Sequence, residues 1–252
     1  MIHSFLMIGQ SNMAGRGNPS EVEPIKNPAI KVLRNGLWQL MIHSYPVNPD
    51  RTFSGVCPAE SFADAYQKDH GVEVGLIPCA DGGTCLDQWQ EGSLLYDHAV
   101  YMGKLAQRTS TIAGVLWHQG EGDCHDHMVA PYEEKFLKMM TALRRDLDLY
   151  DVPFLVGGLG DFLANYTYTP GPNCQKNYRT INEALKRIGT QPMTGFVSAE
   201  GLTSNPDLLH FNAASQREFG LRYYEVFKTL ENKDKVFEEK PENGIRSHME
   251  SL

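Results

Sequence analysis

The chain has 252 residues and a formal net charge of −8, with no concentrated Lys/Arg stripe. Its length suits one α/β domain of roughly 200–250 residues, and its acidic balance argues against nucleic acid or an anionic membrane as partner. Five irregularly spaced cysteines without a CxxC pair argue against a disulfide framework and a structural zinc site, so reduced thiols in a cytoplasmic protein are expected.

No basic segment followed by a long apolar one and a small-residue cleavage site opens the chain. No apolar stretch approaches the ~20 residues needed to span a bilayer. Ile2 to Ile8 is mostly apolar rather than alternating, which predicts a central strand buried on both faces. It stops at Gly9, and Ser11 follows on a tight turn. Residues 16–56 carry five prolines and short apolar pieces such as Ile30-Lys31-Val32-Leu33. This long excursion is expected to build one wall of a cleft; the alternative is a surface hairpin that only covers the sheet.

Pro58 to Asp69 reads as a helix, with proline in its first turn and Gly71 placed to stop it. Val72 to Pro78 is a second strand, followed by the glycine-rich loop Cys79-Ala80-Asp81-Gly82-Gly83-Thr84. A helix over Leu94–Arg108 leads to a third strand, Ile112 to Trp117, and a loop over His118–Met128. Pro131 to Leu149 is a long amphipathic helix, with Phe136, Met139, Met140 and Leu143 at helical spacing. Pro153–Val156 and Thr194–Ser198 are the fourth and fifth strands, and Cys174–Ile188 and Asn212–Leu230 the last helices. This alternation predicts a three-layer αβα fold over residues 1–230, built on a five-stranded parallel sheet. Residues 231–252 are charged and read as a surface or frayed tail.

In such sheets the working groups sit on loops at the carboxyl ends of strands. Ser11, Gly82, Gln119 and His210 each follow a predicted strand and can meet at one edge. A serine hydroxyl is a poor nucleophile until a base takes its proton. His210 is the best base, and Asp207, three residues earlier, can fix its tautomer and balance the imidazolium that forms. Developing negative charge on an acyl oxygen needs donors. The Ser11 N–H, an N–H from Gly82 or Gly83, and the Gln119 side-chain amide are the expected set.

Gly-Gln-Ser-Asn-Met-Ala-Gly at 9–15, Asp-Gly-Gly-Thr at 81–84, Trp-His-Gln-Gly-Glu at 117–121 and Asp-x-x-His at 207–210 resemble the four blocks of the SGNH/GDSL hydrolases. Within them the chain is similar to the branch of sialate O-acetylesterases and acetyl xylan esterases, carbohydrate esterase family 6. The resemblance implies a flavodoxin-like fold and removal of O-acetyl groups from carbohydrate without a cofactor. It implies Ser11 as nucleophile, His210 as base, Asp207 as orienting acid, and Ser11, Gly82 and Gln119 as oxyanion donors. In this branch Glu121 is the second choice for the acid. Asn12 and Arg16 are expected to support the reacting groups, while His118 and Trp89 support them or face substrate. Sialic acid would call for a cation near the pocket, for which Arg16 and Arg51 are available.

Two other readings compete. One is a metal-assisted hydrolase using His118, Asp123, Cys124, His125, Asp126 and His127, a ligand-rich run that matches no standard zinc spacing. The other is an inactive carbohydrate-binding scaffold.

Overall fold

In the computed structural model, strand β1 (Ile2–Gly9) is buried along its entire length. Its side chains alternate between two cores. Leu6 and Ile8 join one, Phe5 and Met7 the other, as the two-residue period of a strand demands. Residues 1–43, 46–50, 53–168, 170–232 and 234–240 are described; Arg51 and residues 241–252 of the expected tail lie outside them.

After β1 come the short helix α1 (Ser11–Ala14) and strands β2 (Ile30–Arg34) and β3 (Leu37–Leu40). Then follow α2 (Pro58–His70), β4 (Glu73–Pro78), α3 (Leu94–Ala106), β5 (Thr111–His118) and α4 (Asp126–Val129). The chain continues through α5 (Tyr132–Leu147), β6 (Phe154–Gly157), α6 (Cys174–Ile188), β7 (Thr194–Val197) and α7 (Ala213–Leu230). Helices α3, α5 and α6 cover the Leu6/Ile8 face, with Tyr96, Phe136, Leu143 and Ile181 in its core. Helices α2 and α7 cover the other face, where Phe62, Tyr66, Phe219 and Phe227 pack on Phe5 and Met7. No helix of the described residues is long and apolar enough to cross a membrane.

The sheet runs β3-β2-β4-β1-β5-β6-β7. The five expected strands are all parallel and take the doubly wound order 2-1-3-4-5 among themselves. The expectation of a five-stranded parallel sheet needs correction: the sheet has seven strands and is mixed. The excursion supplies the other two, β2 parallel to β4 and β3 antiparallel to β2. Asn35 (φ 51°) and Gly36 (φ 79°) form the two-residue turn between them. Positive φ at both positions is what a type I′ hairpin requires and what Asn-Gly supplies. At the opposite end of the fold, Phe237 stacks on His3 with ring centroids 3.8 Å apart.

Candidate active site

Strand β1 ends where it must carry a glycine. Gly9 has φ 125°, and a Cβ there would lie 2.2 Å from the His118 carbonyl oxygen. Gly9 and His118 form the last rung of the β1–β5 pairing, and the Gln10 N–H then donates to His118 O at 2.8 Å. The chain turns at once into α1, with Ser11 as its first residue. First-turn N–H groups have no intrahelical acceptor, and the Ser11 N–H finds none among the described residues. Gln10 holds the neighbouring loop. Its Oε1 accepts from the N–H groups of Gly122 at 3.1 Å and Gly120 at 3.4 Å.

The loop before α7 folds onto this turn. An isolated bridge pairs Ser204 with Phe211, and Leu208 sits at φ 56°, a costly conformation for a bulky residue. That kink sets Asp207 and His210 side by side. Asp207 Oδ1 accepts from the N–H groups of Leu209 (2.9 Å) and His210 (3.0 Å), and Oδ2 accepts from His210 Nδ1 at 2.7 Å. Nδ1 therefore carries the proton, leaving Nε2 to accept from the Ser11 hydroxyl at 2.9 Å. Burial pushes the Asp207 carboxyl up. The hydrogen bonds from the His210 ring and from the two backbone N–H groups outweigh it and bring the carboxyl down to about 2.

Asn12 secures both sides of His210. Its Nδ2 donates to Leu209 O at 3.2 Å and its Oδ1 accepts from the Phe211 N–H at 3.1 Å. Glu121 in turn orients Asn12, accepting from Nδ2 at 2.6 Å. Glu121 as the acid behind the base is a reading the geometry contradicts. Glu121 is 2 % exposed and engaged with Asn12, while Asp207 occupies His210 Nδ1.

Other expectations also change. Gln119 is fully buried, and its amide donates to Thr84 O at 3.1 Å and to Asp123 Oδ2, while its Oε1 accepts from the Tyr132 hydroxyl. Both amide hydrogens are spent, so Gln119 braces the glycine loop rather than facing an oxyanion. The Gly82 N–H is likewise committed, to Asp50 Oδ2 at 3.1 Å. Gly83 is exposed with φ 74°, and its N–H has no acceptor among the described residues. Trp89 is 1 % exposed, packs edge-on against Trp117 and donates to the Thr84 hydroxyl, so its ring cannot face a sugar. His118 is also buried, donating from Nε2 to Gly158 O between the rings of Phe211 and Phe219, and reaches no substrate. Arg16 holds the turn that carries Ser11: Nη1 donates to Gly15 O at 2.9 Å and Nη2 pairs with Asp50.

The proposed metal run does not converge. Asp123 points into the Gln119 network, Asp126 pairs with Lys176 and Asn177, and His118 is enclosed by aromatics. Among the described residues no group of three or more such side chains is placed to hold a metal ion.

Asp123 is perturbed by this packing. Burial pushes its carboxyl up to about 6, against the pull of the Gln119 amide and the Leu86 N–H. A raised carboxyl favours the neutral form in the fold, so its stability is fully present below about pH 4. It declines as pH rises through about 6. Asp123→Asn keeps an acceptor without the charge. Its stability relative to the parent is expected to rise by about 2 kcal/mol between pH 4 and pH 8. Urea unfolding at both pH values reads this out, and an unchanged difference would refute it.

Comparisons with known proteins agree with this architecture. The family model described as "Carbohydrate esterase, sialic acid-specific acetylesterase" matches residues 1–229. A relative in Arabidopsis thaliana, named "Probable carbohydrate esterase", is 29 % identical over 247 residues, covering 88 % of this chain and 89 % of its own. The crystal structure of that Arabidopsis protein superposes with a TM-score of 0.79 at 26 % identity, over 90 % of this chain and 98 % of that one. NanS shares the fold, with a TM-score of 0.72 at 18 % identity over 90 % and 97 % of the two chains. So does a carbohydrate acetylesterase of Xanthomonas citri, with 0.67 at 19 % over 90 % and 57 %. The chain thus belongs to the carbohydrate esterase, sialic acid-specific acetylesterase family and is a carboxylic ester hydrolase.

Proposed function

We propose that this protein removes O-acetyl groups from carbohydrate through an acetyl-enzyme on Ser11. The observation that carries the reading is the pair of hydrogen bonds from Ser11 Oγ to His210 Nε2 (2.9 Å) and from His210 Nδ1 to Asp207 (2.7 Å). His210 takes the Ser11 proton as Oγ attacks the acetyl carbonyl, and Asp207 balances the imidazolium. The N–H groups of Ser11 and Gly83 receive the oxyanion, since those of Gly82 and Gln119 are spoken for. Collapse releases the sugar alcohol with the proton from His210, and water repeats the sequence on the acetyl group.

The family description names sialic acid, which supports O-acetylated sialic acid over xylan as the substrate proposed here. Arg16 lends that choice no cation of its own, because its guanidinium is engaged by Asp50 and backbone carbonyls. Acetate release from acetylated sialic acids, acetylated xylo-oligosaccharides and an aryl acetate tests both levels. Turnover of the aryl acetate and of one sugar class is expected, together with a serine-directed phosphonate adduct on Ser11. No acetate release and no adduct would support the inactive scaffold instead.

A further inference from the structure

The segment after the β2–β3 hairpin lies across the glycine loop that follows β4. Asn48, 2 % exposed, brackets one residue there. Its Oδ1 accepts from the Ala80 N–H and its Nδ2 donates to Ala80 O, both at 2.9 Å. Two residues on, Asp50 Oδ2 accepts from the Gly82 N–H at 3.1 Å and also from Arg16 Nη2. The other arm of that guanidinium, Nη1, reaches back to Gly15 O at 2.9 Å and Ser11 O at 3.4 Å. The two side chains are 9 % (Arg16) and 2 % (Asp50) exposed. A Cβ on Gly82 would come within 2.5 Å of Asp50 Oδ2 and 2.6 Å of Arg16 Nη2, so both side chains pack directly on the glycine.

From this arrangement we infer that Asp50 is a positioning residue for ester hydrolysis: it ties the glycine loop to the nucleophile turn and so aims the Gly83 N–H at the oxyanion. The inference rests on the function proposed above. A carboxylate fits the task because it accepts from an N–H and neutralises a buried guanidinium at once. Asn48 holds the strap in register, and Arg16 links it to Ser11. Asp50 itself need not touch substrate, and its contribution is expected in the transition state rather than in binding.

The test measures aryl acetate turnover and inhibition by phenylboronic acid, which forms a tetrahedral adduct on a serine nucleophile. Asp50→Ala is expected to lower kcat by about 100-fold, the scale of one lost oxyanion donor, with KM within about twofold. Boronate affinity should weaken by the same factor as kcat. Asp50→Asn keeps an acceptor for the Gly82 N–H and should return kcat to within about tenfold of the parent. A loss confined to KM, unaltered or increased kcat, boronate affinity that does not follow kcat, or an Asn variant no better than Ala would overturn the assignment. Should Asp50→Ala not fold, as judged by thermal unfolding, the boronate affinity of the Asn variant against its kcat decides alone. A parent protein that neither turns over the aryl acetate nor takes up a phosphonate fails the proposed function itself, whereas the Asp50 result is read against an active parent.

Discussion

Ser11→Ala is expected to lower ester hydrolysis by roughly five to six orders of magnitude, the scale seen when a serine nucleophile is removed from a preassembled site. The fold should be unaffected. Among the contacts of the Ser11 side chain, the hydrogen bond to His210 is the one lost, and alanine is at home in the first turn of a helix. The Ser11 N–H and the glycine loop remain, so a small residual rate over water should persist. The phosphonate adduct should vanish altogether. Substantial acetate release by this variant would exclude Ser11 as nucleophile and, with it, the acetyl-enzyme.

Asp207→Asn should cost about four orders of magnitude in kcat, because an amide at this position can donate to Nδ1 and stabilise the wrong imidazole tautomer. Glu121→Gln should cost about tenfold or less, since it reaches His210 through Asn12 rather than directly. Measuring both variants on one substrate separates the two carboxylates, and a larger loss at Glu121 would reverse the assignment. Stability should not confuse the result. The Asp207 carboxyl is depressed to about 2, so its contribution is present above about pH 4 and lost as pH falls through 2. Its side chain is 47 % exposed, which discounts that contribution to about 1 kcal/mol.

Much of the frame is legible in the residues. Apolar runs such as Ile2–Ile8 announce strands buried on two faces, and proline and glycine punctuation marks α2 and its end. That the hairpin's strands join the sheet escapes because five prolines make residues 16–56 read as irregular, although Asn35-Gly36 carries the turn signal. The site is legible to a different depth. The motifs point to Ser11, Asp207 and His210 because their chemistry depends on residue type and the strand ends bring them together. Donors are harder. Whether an N–H is open depends on which neighbour already claims it, and Thr84, Asp123 and Asp50 claim those of Gln119 and Gly82 through contacts between distant loops. Asn48 and Asp50 are polar residues in a loop without periodicity, so nothing in their spacing marks them.

Ser11 and His210, the proposed nucleophile and base, are 199 residues apart in the chain. A ribosome adding about 5–20 residues per second would need about 10–40 seconds to make the stretch between them. Throughout that interval the growing polypeptide already holds Ser11 but has nothing to activate it. Esterase activity should therefore appear late in translation, after the segment bearing Asp207 and His210 has left the exit tunnel, so nascent chains stalled before that point should be silent toward acetyl esters.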